Sequence, residues 1–202
     1  MSVKSILDKA LRLEFLSLDE GMELYRNASL PALMHAAHEM RNKLAPPGKV
    51  SWIIDRNVNI TNVCISRCRF CNFHTVKGAP GAYITCMDDY RAKIRELFAL
   101  GGDQLLLQGG MHPDLKLDFY QKLFSDLKKE FPALKLHAMG PAEIVYLAKA
   151  ENKTYSEILT ALRNAGLDSL PGAGAEILAD RVRKFVSPAK CLAGEWLDVM
   201  RE

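Results

Sequence analysis

The chain has 202 residues, 49% of them hydrophobic and 25% charged, with a formal net charge of +3. This is ordinary globular composition, long enough to bury a core, and the charge is too small to argue for nucleic acid or a membrane surface as a partner. No apolar run approaches the length of a membrane span, and the amphipathic start MSVKSILDKALRLEFLSLDEG has no apolar leader core, so free cysteines in a reducing cytoplasm are expected instead of a disulfide framework.

Residues 1–48 read as a helical segment and residues 49–202 as a second region of different character. Ser17, with Glu20 three places on, is a capping-box pattern before a helix that repeats Leu18, Met22 and Tyr25. Leu30 to Leu44 is a second helix; His35 and His38 on it read as half-exposed helix histidines. Pro46-Pro47-Gly48 ends this part. Val50 to Val63 is rich in β-branched residues and predicts a first strand. A cysteine-bearing loop follows, then a helix from about Met87 to Leu100. DQLLLQGG predicts a second strand, Leu117 to Phe131 a helix, LKLHAMG a third strand, and Pro141 opens the next helix. Thr154 caps a further helix to Gly166, LDSLPGAG predicts a fourth strand, and GEWLDVMRE has helical spacing.

Strand, loop and helix thus repeat four times. That order predicts an α/β fold, a parallel sheet with helical crossovers, in which a site lies at the carboxyl ends of the strands. The suspicious residues all fall there: the cysteine loop after strand one, Gln108-Gly109-Gly110 after strand two, His137 on strand three, and Gly172-Ala173-Gly174 with Glu176 after strand four. His137 reads either as an interior proton-transfer group or as a satisfied core histidine.

The cysteine loop is the most specific signal. Cys64, Cys68 and Cys71 stand in CISRCRFC, the spacing CxxxCxxC. A structural zinc site or a closed electron-transfer cluster takes four protein ligands. Three thiolates on a tight loop suit a four-iron cluster with one iron left open to bind a small molecule. A zinc site completed by His74 stays open on spacing alone, and Cys86 and Cys191 read as buried thiols. Arg67 and Arg69 add positive charge beside the cysteines.

CxxxCxxC with an aromatic residue before the last cysteine resembles the radical S-adenosylmethionine (radical SAM) superfamily. The resemblance implies a partial (β/α) barrel of six parallel strands, with the cysteine loop after the first. It implies a [4Fe-4S] cluster on Cys64, Cys68 and Cys71. The open iron is chelated by the methionine moiety of S-adenosylmethionine, and reduction yields a 5′-deoxyadenosyl radical. Gly109 and Gly110, with Gln108 beside them, would face the methionine amino group, and Phe70 the adenine. Phe73 would either line the pocket or pack under the loop. Glu176 would either accept from the ribose or sit as a carboxylate at a helix start.

At closer range, RNVNITNVCISRCRFCNFH, GGDQLLLQGG, LKLHAMGPAEIVYLAK and AGLDSLPGAGAEIL, with DRVR and EWLDVM beyond it, are similar to the cyclic dehypoxanthinyl futalosine synthase family of menaquinone biosynthesis. Asn72-Phe73-His74 and Pro-Gly-Ala-Gly-Ala-Glu favour it over its sisters, aminofutalosine synthase and the deazaflavin-forming synthase. The resemblance implies a nucleoside-type substrate whose ribose radical closes onto a benzoate ring, and a reducing electron donor such as flavodoxin or ferredoxin. The substrate carboxylate needs a cationic or amide-rich partner that the sequence does not single out. The family is considerably longer, so this chain is expected to be C-terminally truncated after about four of six strands, with defective turnover. The alternatives are an aminofutalosine synthase-like enzyme and a non-catalytic iron–sulfur or metal-binding fragment.

Overall fold

A computed structural model describes residues 2–202. The chain divides into two compact units, the first ending at Trp52 and the second spanning Ile53–Glu202.

The first unit contains α1 (Val3–Leu11), α2 (Leu18–Asn27) and α3 (Leu30–Leu44). Each begins at a serine, Ser2, Ser17 or Ser29, whose hydroxyl accepts from the backbone N–H three residues on. At α2 the capping box is complete, and Glu20 also receives Lys9 at 2.8 Å. Apolar burial is sparse: Ile6, Ala10 and Ala36 are the buried hydrophobic residues of this unit among those described.

The second unit begins with β1 (Asp55–Asn59), followed by α4 (Met87–Ala99), β2 (Gln104–Gln108), α5 (Leu117–Glu130) and β3 (Lys135–Ala138). Then come α6 (Pro141–Glu151), α7 (Tyr155–Asn164), α8 (Asp180–Val186) and α9 (Ala193–Arg201). The strands pair in parallel in the order β1-β2-β3, with Val58 opposite Leu107 and Leu107 opposite Ala138. Parallel pairing demands the helical crossovers that α4 and α5 supply. Leu105, Leu107, Leu136, Ile94, Phe124 and Leu127 are sealed between sheet and helices, and in β2 and β3 these buried residues alternate with less buried ones, Leu106 and His137 among them.

Two expectations change in detail. The first strand is shorter than the Val50–Val63 run, because Val50 and Trp52 are exposed and the residues beyond Asn59 turn into the loop. The fourth strand is a single parallel bridge, His137 to Ser169, with Asp168 and Ser169 donating to the Leu136 carbonyl and Ala138 donating to Ser169. Pro171 follows two residues later and lacks the N–H that a longer ladder would need.

Candidate active site

The cysteine loop is built on the carboxyl end of β1 and held by backbone hydrogen bonds. Thr75 donates to Asn62 at 2.8 Å and Cys64 donates to Thr75 at 3.1 Å, which closes the loop on itself. Thr61, fully buried, donates its hydroxyl to the Tyr83 carbonyl at 2.6 Å. The exit of β2 braces the loop from the other side: Gly110 donates to Thr61 at 2.8 Å and Ile65 to Met111 at 3.0 Å. Gly110 is obligatory for this contact. A Cβ there would lie 2.1 Å from the Val63 carbonyl oxygen and 2.8 Å from the Cys64 Cβ. Farther along, Arg69 donates its N–H to Val186 at 2.8 Å and stacks its guanidinium over Phe185 at 4.1 Å. The expected charge of Arg69 is therefore directed onto an aromatic face of α8.

The three cysteines open on one cavity of about 240 Å³ at the carboxyl ends of the strands. Phe70, Gln108, Gly109 and Glu176 line it as well. Gly110 does not; it lies behind the wall, packed on the loop. Phe73 and His137 also lie off this cavity. His137 shares a 2.7 Å hydrogen bond between Nδ1 and the Ser169 hydroxyl across the bridge, so its ring is engaged in tying the fourth segment to β3. Cys86 is exposed, contrary to its reading as a buried thiol, with its Sγ 3.3 Å from Asp89 at the start of α4; Cys191 is buried.

The Cys64 sulfur receives two backbone N–H groups, from Met111 at 3.3 Å and Ser66 at 3.4 Å. These two donors fix the position of the sulfur at the cavity wall. Ser66, also on the cavity, keeps a buried hydroxyl with no partner among the described residues. Among those residues no group of three or more His, Cys, Asp or Glu is arranged to hold a single metal ion. His74 turns Nδ1 to the Cys71 carbonyl at 2.7 Å and does not line the cavity. A single zinc needs its donors converged on one point; a four-iron cluster gives each thiolate its own metal, and three sulfurs spaced around a shared cavity suit that arrangement.

Two charged groups of the cavity escaped sequence reasoning. Glu143 stands in the first turn of α6, after the Gly140 N-cap. Burial pushes its carboxyl up to about 7, against the opposing pull of the Gly140 backbone and the Lys190 charge. The signal for Glu143 was present, an acidic residue just inside a helix that follows a strand. Lys190 comes from the α8–α9 connection and reaches Glu176 at 2.6 Å. No local pattern marks it. Backbone strain gathers at the same end of the sheet: Arg67, Met139 and Glu176 all have left-handed φ, at 50°, 62° and 42°.

The sequence profile described as "Radical SAM superfamily" matches residues 58–202, most of the chain and all of this site. The chain belongs to the radical SAM superfamily. Members of that superfamily use a [4Fe-4S] cluster and S-adenosylmethionine, and the thiolate set, the donors to Cys64 and the orphaned Ser66 hydroxyl fit such an occupant. Two curated relatives named cyclic dehypoxanthine futalosine synthase are 36% identical over 100% of this chain (Halalkalibacterium halodurans) and 37% identical over 98% of it (Streptomyces coelicolor). A third, named 5-amino-6-(D-ribitylamino)uracil–L-tyrosine 4-hydroxyphenyl transferase, from Cyanothece sp., is 33% identical over 98%. This radical SAM chain spans about half the length of the curated relatives it matches, 54%, 50% and 54% of these three. Among solved structures, HydG, a maturase of the [FeFe]-hydrogenase, superposes with a TM-score of 0.74 over 98% of this chain and 43% of its own, at 15% identity. Methylornithine synthase (PylB) gives 0.69 over 97% and 54%, at 16% identity. At these identities the likeness is one of fold.

Proposed function

We propose that this chain carries the cluster- and cofactor-binding part of a radical SAM cyclase that converts dehypoxanthinyl futalosine to its cyclic product in menaquinone biosynthesis. The observation that carries the proposal is the single cavity where Cys64, Cys68 and Cys71 meet the exits of β2, β3 and the fourth segment. The 36–37% identity to proteins named for this reaction supports the substrate. When bound, the cluster and S-adenosylmethionine supply one-electron reduction and hydrogen-atom abstraction.

The residues of this chain bind, orient and exclude. Cys64, Cys68 and Cys71 hold the cluster, with the two N–H groups on Cys64 fixing its sulfur. Phe70 offers its face to the adenine, and Gln108 and Gly109 present polar and backbone groups to the methionine moiety. Glu176 accepts from the ribose. Gly110 acts one step removed, by letting β2 approach the loop closely enough to shape it. Glu143, whose carboxyl burial pushes up to about 7, takes up the proton lost when the ring radical left by sugar closure regains aromaticity, and the accompanying electron would return to the bound cluster. The electron comes from a flavodoxin or ferredoxin. Among the described residues no helix is long and apolar enough to cross a membrane.

A second reading is kept open by one observation: a relative named for hydroxyphenyl transfer from tyrosine is 33% identical over 98% of the chain. The two are separated by supplying the anaerobically reconstituted, reduced protein with S-adenosylmethionine and either dehypoxanthinyl futalosine or tyrosine plus the ribitylaminouracil acceptor. Release of 5′-deoxyadenosine stimulated by dehypoxanthinyl futalosine is expected in the first arm, with cyclic product once the remaining length of the relatives is supplied in cis or in trans. Product confined to the second arm assigns the chain to the transferase. Reconstitution should load about four irons per chain, and replacing any one of the three cysteines by alanine should abolish the loading.

A further inference from the structure

We propose that Lys190 is the carboxylate anchor of the cysteine cavity. The cavity is lined by two carboxylates, Glu143 and Glu176, and by one cationic side chain, Lys190. Its ammonium is largely enclosed, at 15% side-chain exposure. It sits 2.6 Å from Glu176 Oε1 and 5.8 Å from the centre of the Phe70 ring, so it stands between the fourth-strand loop and the cysteine loop. An ammonium has three donors. One is spent on Glu176, which leaves donors for a second acceptor entering the cavity.

Arg183, the other cation close by, is not available. It is 2% exposed and spends its guanidinium on backbone carbonyls of Gly174, Ala175, Ile177 and Cys191. Its function is to clamp the loop on both sides of Glu176, whose φ of 42° the clamp holds in place. Glu176 is thereby fixed as a built-in carboxylate partner, and Lys190, on a flexible stem, is the member of the pair that can turn toward an incoming anion. In a largely enclosed site that contact is worth more than on an open surface.

The incoming group is a carboxylate. Which molecule bears it rests on the proposed function: the methionine moiety of the cofactor or the benzoate of the substrate. The test is anaerobic equilibrium dialysis on the reconstituted full chain, with four probes: S-adenosylmethionine, its decarboxylated analogue, dehypoxanthinyl futalosine and its carboxamide. Lys190→Gln should weaken one carboxylate-bearing probe by about tenfold or more, from loss of a charge-assisted hydrogen bond, and leave its counterpart without the carboxylate within about twofold. Lys190→Arg should restore most of the loss. The probe that responds identifies the source. Glu176→Gln, a second variant should Lys190→Gln not fold, frees the ammonium and should raise the ratio of carboxylate to non-carboxylate affinity. Equal weakening of both members of a pair, or no weakening at all, overturns the anchor while leaving the functional reading intact. A parent chain that loads iron yet binds none of the four probes overturns both.

Discussion

The helices before Trp52 and the sheet unit after it hold their shapes by different means. Every helix described in the first unit has a serine cap with a side-chain hydrogen bond. In the second unit α4, α5, α6, α8 and α9 begin without one, and only α7, at Thr154, is capped in this way. Burial runs the other way. The second unit seals a continuous core around β2 and β3, whereas in the first Phe15 is 99% exposed and Leu18 90%. Where burial is plentiful, most helices lack an N-cap side chain, and α5 and α9 draw on carboxylates instead, Glu151 at Leu117 and Glu195 and Asp180 at Leu192 and Ala193; where it is scarce, N-cap serines carry more of the load.

The strongest way to break this contrast is Gly110→Val. The new side chain must displace the Val63 carbonyl and the base of the cysteine loop, an overpacking cost of about 3 kcal/mol or more. Urea unfolding should show the destabilisation, and iron uptake should fall with it. Iron uptake equal to the parent's would mean that the β2 exit does not brace the loop.

Two glutamates sharpen the contrast by pH. Burial raises the Glu143 carboxyl, so its favourable contribution is complete below the ordinary glutamate value of 4.5 and is lost as pH rises through about 7. In the first unit, the hydrogen bond from Lys9, then the Ser17 backbone, lowers Glu20, so its contribution is present above 4.5 and is lost as pH falls. Urea titrations of the cluster-free chain across this range should show Glu143→Gln flattening the loss on the alkaline side and Glu20→Gln the loss on the acid side. Unchanged profiles in both variants would remove the assigned causes.

The smallest effect is expected at the caps. Ser17→Ala should cost about 1 kcal/mol in the first unit, detected as faster amide exchange in α2 with no change in α5 or α6. Spread of that change into the sheet unit would show that the two do not hold themselves separately.

What was legible in the sequence follows the same division. Ser17 with Glu20, Pro141 at a helix start and Thr154 announced their helices because capping is written in neighbouring residues. The order of strand, loop and helix announced a parallel sheet because parallel neighbours need helical crossovers. The cysteine spacing announced its loop. The roles of Lys190 and Arg183 were not legible: they come from meeting residues of other segments, and neither SPAK nor DRVR, though the latter belongs to the family resemblance, shows what its cation will meet. Gly110 was legible as a residue and not as a reason, since the close approach that requires it is to Val63 on a different strand's exit. His137 shows the converse, a suggestive residue on a predicted strand that is engaged with Ser169 away from the cavity.

The bond from the Arg69 amide to Val186 bears on when the cluster can be fitted during synthesis. The cysteines emerge from the ribosome well before Val186 and Lys190, the tether of their loop and the lysine that faces them. A nascent chain halted before Val186 displays three thiols on a loop that lacks one of its ties. A fully tied loop is therefore offered to iron and sulfide only once Val186 has been made and has folded against Arg69.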